Sequence, residues 1–537
     1  MEHIQKFMIS FCIIMCLFSA ASVCASDVND TVTVNYSDDV VTTDDIIVVD
    51  HNESSVSEHD NEATGSFTEL QKLIDKDDTI NLTKDYTVTG SEGRIIITSD
   101  KIINGNGHTL SGKGISGIFA INGGINVIIN DIILRDGSDR NGGAISAYGN
   151  VNGLTFSNVS FLNNQAVDSG GAVYINGDNL AVPTKFINCN FENNIALNLF
   201  GGALYYKSIA PLLVSNCNFE NNLANDYYYG MGGAIFSRTH TEINKSKFLG
   251  NTAFNFGGAI YADNTLAVAN CEFYDNHVEN NGGAIFADQA LNIYDCEFLK
   301  NTAKAYGGAV YSIAPYEYNT LIVRSVFNCN SAEEDNGGAV KSITTVIIED
   351  CEFNNNNAGS YGGAIYADND MQFRGENTFI GNIAENDGGA VYTGTILGNV
   401  EYVTFKSNQV KKNDGGAIYI NNEYDGTFTH CFFEKNYAHC DGGAIYINSM
   451  SSDVTLTKNA FIGNNARYGK SAYTCNRGGI WGETAFNLGP NWYGDTDETS
   501  FQNQFYRSLA IRLLPGDCVE YKVETWLNSV WEMFNDD

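Results

Sequence analysis

Proline and positive charge are both scarce in this sequence. Five prolines stand against 54 glycines among 537 residues, which excludes a collagen-like chain and a proline-rich linker. Lysine and arginine together number 30 against 64 aspartates and glutamates, so the formal net charge is -34. A surface of this charge repels nucleic acid and polyanionic polymers unless cations bridge the two. The composition therefore predicts no nucleic-acid partner.

Long apolar runs are also rare, and the one that stands out is at the N-terminus. Lys6 precedes an apolar stretch over 7–21, and Val23-Cys24-Ala25 provides a cleavage site after Ala25. This pattern is typical of a secretory signal peptide over residues 1–25. The alternative is an uncleaved N-terminal anchor. It would be the one contact with a membrane, because no other segment reaches about 18 apolar residues.

Two elements recur twelve times through the middle of the chain. A Phe-x-x-Asn element follows each Gly-Gly-Ala-aliphatic element in register, from Phe161 and Asn164 to Phe461 and Asn464. The Gly-Gly pairs are spaced by 25 to 31 residues, which indicates one supersecondary unit per repeat. Their first glycines are Gly142, Gly170, Gly201, Gly232, Gly257, Gly282, Gly307, Gly337, Gly362, Gly388, Gly415 and Gly442.

The repeats lack the long helical pattern of α-solenoids, whose periods are roughly 33–47 residues. They show short alternating runs rich in Ile, Val, Tyr, Phe and Thr, separated by Asn, Asp and Gly, as in LNIYDCEF over 291–298. We therefore predict an all-β parallel β-helix, a solenoid of roughly 14–16 coils with short helical caps. Each coil would contain about three short strands.

The repeated residues have structural roles in such a coil. Paired glycines allow positive φ and close backbone approach at a corner, and the aliphatic after alanine points inward. The phenylalanine stacks on its copies above and below. The asparagine three residues later takes the left-handed turn conformation, and its amide bonds the copy on the next coil.

Ten of the 13 cysteines follow the signal peptide, and six of them lie two residues before the repeated phenylalanine. Coils stack about 4.8 Å apart, beyond the mean disulfide Cβ separation of about 3.8 Å, so we predict buried free thiols. No histidine or second cysteine stands at ligand spacing, so no metal or cofactor is expected. The six are Cys189, Cys217, Cys271, Cys296, Cys351 and Cys431, while Cys440, Cys475 and Cys518 lie off this column and are candidates for pairing.

An aromatic residue follows the inward aliphatic in ten repeats. Strand alternation predicts that it points outward, and Ser146 and Lys341 at the same position fit an exposed site. Stacked exposed rings would form a platform for sugar rings or a partner surface, and the alternative is a half-covered ladder that only stabilises the sheet. The candidate binding residues are Tyr174, Tyr205, Phe236, Tyr261, Phe286, Tyr311, Tyr366, Tyr392, Tyr419 and Tyr446.

The two ends predict caps and set the domain boundaries. Ser66 and Glu69 form a capping-box pattern before apolar residues at helical spacing, and apolar residues around Trp526 and Phe534 predict a C-terminal helix. Residues 26–65 lack lysine and arginine, which predicts an acidic disordered stalk or linker. The predicted order is signal peptide 1–25, stalk 26–65, cap and first coils 66–141, repeat β-helix 142–466 and closing coil with cap 467–537.

A lyase or glycoside hydrolase is the enzymatic alternative, because β-helices host both. Such sites need carboxylates that hold calcium beside a base, or two facing carboxylates. The candidates are isolated, so we expect no catalytic residues and no enzyme. They are His108 in a turn, Arg238, Arg324 and Arg374 on separate coils, and the acidic loop 495–498.

With both elements in register, the array resembles the polymorphic outer-membrane protein repeat family. It is still more similar to the Asn/Thr-rich adhesin-like surface proteins of methanogenic archaea, which also share segments like INLTKDYT, INGNGHTLSG and NWYG. The resemblance covers about residues 66–495. It implies a right-handed parallel β-helix of the pectin lyase-like type, a cell-surface location and an adhesive role.

The expected function is that of a secreted or cell-surface adhesin-like protein. It would bind carbohydrate, either cell-surface glycans or a host or partner cell surface, through a face of the β-helix without catalysis. A purely architectural cell-wall spacer is the remaining alternative.

Overall fold

The structure is a computed structural model that describes residues 64–149, 152–177, 182–450, 452–474, 486–489, 491–492 and 511–513. The predicted signal peptide, most of the stalk, the C-terminal helix and the 495–498 loop lie outside these residues. The described part is a parallel β-solenoid of about 14 turns, which confirms the predicted fold class. In this part of the chain no helix is long and apolar enough to cross a membrane.

One helix, α1 (Phe67–Lys76), covers the N-terminal end of the solenoid. Ser66 is its N-cap, and its hydroxyl accepts the backbone N–H of Glu69 while the Glu69 carboxylate accepts the N–H of Ser66. The predicted capping box is therefore present. Phe67, Leu70 and Ile74 are buried, so the helix covers the open edge of the first coils with its apolar face.

The coils before the first Gly-Gly pair are irregular in length but pair in parallel with the array. Asn126–Arg135, for example, pairs with Gly153–Leu162 over nearly its whole length. The strands of this region are Gly65–Ser66, Thr79–Asn81, Tyr86–Thr87, Ile95–Ile97, Lys101–Asn104, Thr109–Ser111, Phe119–Asn122 and Asn126–Arg135.

Ten of the twelve repeats contain three strands and a two-residue fourth strand, one more than predicted, and in the last two an isolated bridge at Tyr437 or Asn465 takes the place of the fourth strand. The first strand follows the Gly-Gly pair, and each strand stacks in parallel on its copy in the next coil. First strands are Ile145–Tyr148, Val173–Gly177, Leu204–Ser208, Ile235–Ser237, Ile260–Ala262, Ile285–Ala287, Val310–Ser312, Val340–Ser342, Ile365–Arg374 (which includes the second), Val391–Ile396, Ile418–Glu423, Ile445–Ser449 and Ala472–Thr474.

The second and third strands are joined by a bend and run together in Gly153–Leu162. Other second strands are Thr184–Ile187, Leu212–Ser215, Thr241–Asn244, Leu266–Ala269, Leu291–Tyr294, Thr320–Val323, Val346–Glu349, Val400–Glu401, Thr427–Thr429, Val454–Thr457, Phe486–Leu488 and Ile511–Leu513. Other third strands are Asn190–Glu192, Asn218–Glu220, Lys247–Leu249, Glu272–Tyr274, Glu297–Leu299, Val326–Asn328, Glu352–Asn354, Asn377–Ile380, Val403–Lys406, Phe432–Glu434 and Ala460–Ile462.

The fourth strands form a separate sheet of 11 strands beside the sheet of 40 that holds most of the others. They are Ser138–Asp139, Gln165–Ala166, Ile195–Ala196, Leu223–Ala224, Thr252–Ala253, His277–Val278, Thr302–Ala303, Ser331–Ala332, Asn357–Ala358, Ile383–Ala384 and Gln409–Val410. The coils differ in length at two places, the connection between the first and second strands and the corner between a fourth strand and the next Gly-Gly pair.

The two glycines of each pair have different roles. The first has positive φ, as in Gly282 at 72°, a conformation that glycine takes without strain. The second faces the next coil, where a Cβ on Gly283 would overlap the carbonyl oxygen of Gly308 and lie 2.7 Å from that of Thr302. Both predicted uses of the pair are therefore present, one in each glycine.

The repeated phenylalanines stack through the core. Phe273 and Phe298 have ring centroids 4.6 Å apart with an interplanar angle of 3°, and Phe298 and Phe327 are 4.5 Å apart. The aliphatic residue after alanine, such as Ile285, is also fully buried. Every coil thus adds the same apolar layer, and a single coil could not bury it alone.

The repeated asparagines form the predicted ladder. Asn301 Nδ2 donates to the Phe273 carbonyl at 2.9 Å and to Asn330 Oδ1 at 3.0 Å, while its Oδ1 accepts the backbone N–H and Nδ2 of Asn276. The predicted left-handed conformation is wrong for these asparagines. The left-handed conformation belongs to the residue before each asparagine, such as Lys300 with φ 56°.

The six column cysteines are buried and free, as predicted. Each sulfur lies near a backbone N–H of the preceding coil, and Cys271 N–H, for example, donates to Cys296 Sγ at 3.4 Å. Serine hydroxyls take this place in other coils, as Ser325 does for the N–H of Cys296. Burial raises the pKa of Cys351 to about 11, so that thiol stays protonated and unreactive.

The solenoid extends past the last complete repeat. Phe486–Leu488 stacks on Val454–Thr457, and the Trp492 carbonyl accepts the N–H of Phe461 at 2.7 Å. Asn491 Oδ1 also accepts the N–H of Asn459. The sequence pattern decays here sooner than the fold does.

Candidate functional site

The ten predicted aromatic residues form one column on the outer side of the first strands. They pair in register, so each ring lies over its copy in the next coil. Tyr174 and Tyr205 stack at 4.7 Å, and Tyr392 and Tyr419 at 5.0 Å. Phe286 and Tyr311 meet edge to face at 5.3 Å. The structure thus brings the predicted residues together in a column that Lys341 interrupts once.

The rings of this aromatic column are covered as in the half-covered ladder, and they are not exposed as the binding platform required. Outward direction does not expose the rings, because in five coils an apolar side chain just before the Gly-Gly pair packs against them. These covering residues are Phe200, Met231, Phe256, Tyr306 and Tyr361. The ring centroids of Phe200 and Phe236 are 4.4 Å apart, and those of Phe256 and Phe286 are 4.6 Å apart. Buried members are Tyr174, Tyr205, Phe236, Phe286 and Tyr446, and half-buried members are Tyr261, Tyr311, Tyr366, Tyr392 and Tyr419.

The two polar residues that seemed to support exposure are buried as well. Ser146 Oγ accepts a hydrogen bond from Arg94 Nη1 at 3.0 Å. Lys341 is only 4% exposed, with its ammonium paired to Asp368 and 4.3 Å from the ring centroid of Tyr366. Burial lowers the pKa of Lys341 and the ion pair opposes that shift. The column therefore accommodates a cation by ion pairing and by its interaction with a ring face.

Burial keeps the tyrosine hydroxyls neutral. It raises the pKa of Tyr174, Tyr311 and Tyr392 to about 12. Tyr261 Oη donates to Asp288 Oδ2 at 2.5 Å. These phenols can act as hydrogen-bond donors at the edge of the column, and their ring faces are occupied by one another.

Three aspartates replace the covering apolar residues in the C-terminal coils. The Asp387 carboxylate accepts the N–H of Asp414, and the Asp414 carboxylate accepts the N–H of Asp441. Burial raises the pKa of Asp387, and it raises that of Asp414 to about 7. No group of three His, Cys, Asp or Glu residues suited to a metal ion occurs in the described ranges.

The isolated catalytic candidates have structural partners. His108 Nδ1 is 3.2 Å from Asp85 Oδ1 beside a turn. Arg238 pairs with Asp263, and Arg324 makes a bidentate pair with Asp295 at 2.7 and 2.8 Å. Arg374 donates to Gln372. The structure does not bring these basic residues together.

A more exposed aromatic group lies in a corner that sequence reasoning missed. Tyr227, Tyr228 and Tyr229 are 72%, 70% and 54% exposed. The signal was present in the spacing, since Gly232 follows Asn222 by 10 residues whereas Gly257 follows Asn251 by 6. An insertion that departs from a regular repeat marks a surface that folding alone does not require.

Two family models match parts of the chain. One, described as right handed beta helix region, matches residues 325–484, and the other, the Chlamydia polymorphic membrane protein repeat, matches 158–176, 245–263, 270–288 and 295–313. Each of the four short matches includes one Phe-x-x-Asn element and the Gly-Gly pair that follows it. No curated protein matches the chain. The solenoid is thus a right-handed β-helix with repeats of the polymorphic membrane protein type, which indicates a surface-exposed protein.

Proposed function

We propose that this protein is a secreted or cell-surface adhesin-like protein that binds carbohydrate through the wall of its β-helix and does not alter it. The observation that carries the proposal is the aromatic column on the outer side of the β-helix. The aromatic column continues through coil after coil, and five of its tyrosines stay partly exposed along it: Tyr261, Tyr311, Tyr366, Tyr392 and Tyr419.

A repeated wall favours binding over catalysis. Hydrolysis or elimination needs one local cluster of acid and base groups, which breaks a repeat. Binding to a polymer gains from many similar weak contacts, because each added contact occurs at high effective concentration. Rows of neutral hydroxyls and ring edges suit sugar hydroxyls, and the net charge of -34 disfavours acidic polymers. The expected ligands are therefore cell-surface glycans or a partner cell that displays them.

The test is size-exclusion chromatography of the secreted chain mixed with neutral and acidic polysaccharides in the presence of calcium. Co-elution with polymer of unchanged length supports binding without catalysis. Shortened polymer would refute it in favour of a lyase or hydrolase, and the absence of binding to every polymer would favour an architectural spacer.

A second experiment tests whether the aromatic column takes part in binding. Replacing Tyr366, Tyr392 and Tyr419 together by phenylalanine removes three hydroxyls and keeps the stacked rings. We expect weaker retention on the bound polymer with an unchanged circular dichroism spectrum. Unchanged retention would show that the exposed edge of the aromatic column does not take part.

A further inference from the structure

Three consecutive coils carry an apolar corner where the coils that follow carry charge. After the fourth strand the later coils have exposed side chains such as Glu279, Lys304, Glu334 and Lys412. The earlier three have aromatic or aliphatic residues at this corner instead, and these lie on adjacent coils. We call their outer members the corner patch: Leu197, Leu199, Tyr227, Tyr228, Tyr229 and Phe254.

The three tyrosines are held outward by a network of hydrogen bonds. The Asp226 carboxylate accepts the backbone N–H of Tyr228 at 2.9 Å and of Tyr229 at 2.6 Å. The Asp226 carbonyl accepts the N–H of Gly230 at 2.8 Å. From the next coil, Asn255 Nδ2 donates to the Tyr228 carbonyl at 2.8 Å. The turn is therefore fixed before any ligand arrives, which lowers the entropy cost of binding.

The rings present different faces to solvent. Tyr227 and Tyr228 have centroids 5.0 Å apart at an interplanar angle of 86°, and Tyr227 is 6.3 Å from Phe254. Unlike the rings of the aromatic column, they are not stacked on copies above and below. A ligand can therefore contact ring faces here, whereas most rings of the aromatic column are stacked on one another.

The chemistry of the corner defines what it would bind. Segments 195–200, 223–231 and 252–256 contain no lysine, arginine or histidine, and their single acid, Asp226, is engaged by backbone N–H groups. Asn198 and Asn225 add exposed amides within the same turns. Ring faces beside amides, without cations, match the apolar faces and hydroxyls of uncharged sugars. A second copy of this chain is a poor occupant, because both copies carry a net charge of -34.

We propose that the corner patch is the principal site for a neutral glycan, with pyranose rings lying on the exposed tyrosines. This inference rests on the proposed function and assigns its main contact to one corner of three coils. The aromatic column then acts mainly as scaffold in these coils, where its rings are buried, and the corner patch supplies the exposed ring faces.

The experiment compares the full chain with the Tyr227→Ser, Tyr228→Ser, Tyr229→Ser triple variant. Binding to immobilised mannan, laminarin and galactan, with polygalacturonate as the acidic polymer, is measured together with circular dichroism. Tyr316→Ser is the matched control, because Tyr316 is 83% exposed on a different loop. We expect the triple variant to lose at least about tenfold in affinity for the neutral polymer that the native chain binds, and the control to lose less than about twofold.

Each other outcome is decisive. Equal binding by the triple variant would overturn the corner patch and leave the proposed function standing. Failure of the native chain to bind any of the neutral polymers would overturn both. Concentration-dependent self-association that the triple substitution abolishes would replace the glycan by a second copy of the chain.

Discussion

Replacing Asn301 by leucine tests the idea that the buried amide ladder, and not apolar packing alone, holds the coils together. Leucine has the branched skeleton of asparagine with methyl groups in place of the amide oxygen and nitrogen, so the substitution leaves no cavity and adds some overpacking. Asn301 is fully buried, and its amide serves Phe273, Asn276 and Asn330 on both neighbouring coils.

The magnitude follows from the groups that lose a partner. The Phe273 carbonyl loses the Nδ2 donor at 2.9 Å, and the backbone N–H of Asn276 loses the Oδ1 acceptor at 3.1 Å. A buried polar group left unsatisfied costs about 1–3 kcal/mol, so the two backbone groups together predict a loss of about 2–6 kcal/mol. The side-chain amides of Asn276 and Asn330 each keep another partner, so they add less.

Urea unfolding followed by circular dichroism gives the loss, and hydrogen exchange gives its position. Because coils in a solenoid are coupled to their nearest neighbours, protection should fall most in the coils on either side of residue 301. The control is Asn292→Leu, an outward, half-buried asparagine of the same coil, which should change stability by less than about 0.5 kcal/mol. A stability of Asn301→Leu within about 1 kcal/mol of native would refute the reasoning.

Three further predictions concern close packing and buried charge. Gly283→Ala should prevent proper stacking, since its Cβ would overlap the Gly308 carbonyl oxygen, and a lower melting temperature checks this. Because burial raises the pKa of Asp414 from an ordinary value near 4 to about 7, its carboxyl favours folding below pH 4 and this contribution is lost as pH rises to 7. Asp414→Asn should therefore stabilise the protein at pH 7.5, by about 1–2 kcal/mol after solvent screening, and change little at pH 4 in urea titrations. Lys341→Phe should be tolerated, whereas Asp368→Ala should cost roughly 3 kcal/mol because it leaves the buried ammonium unpaired.

The outcomes that would contradict these three are specific. A native melting temperature for Gly283→Ala would mean that the coils separate there without loss. An Asp414→Asn effect equal at both pH values would show that the carboxyl titrates normally. Equal stability for Lys341→Phe and Asp368→Ala would show that the ion pair does not neutralise the buried ammonium.

Much of the fold could be predicted from the sequence because each coil repeats the same physical problem. The Gly-Gly pair, the stacked phenylalanine and the buried asparagine recur in every repeat, so their roles can be predicted from their spacing. The left-handed position was assigned one residue too late. Asparagine, aspartate or glycine, which tolerate positive φ, occupy it in eight of the twelve repeats, but the asparagine one residue later is the same in all twelve and was given the role.

The candidate site was predicted less well, because exposure depends on neighbours that are distant in sequence. Tyr205 and Phe236 point outward as alternation requires, but Phe200 and Met231 cover them from the corners of adjacent coils. The sequence showed these covering residues without showing where the corner would fold.

The sequence by itself determined the solenoid, its register and its core, because these depend on local periodicity repeated many times. The tertiary structure decided which outward rings are covered and which face solvent. The difference is physical: alternation fixes the direction of a side chain, while its exposure depends on the corner that folds beside it. The corner that contains Tyr227, Tyr228 and Tyr229 is longer than the same corner in the other repeats. The Asp226 carboxylate holds its turn outward, so the three rings face solvent.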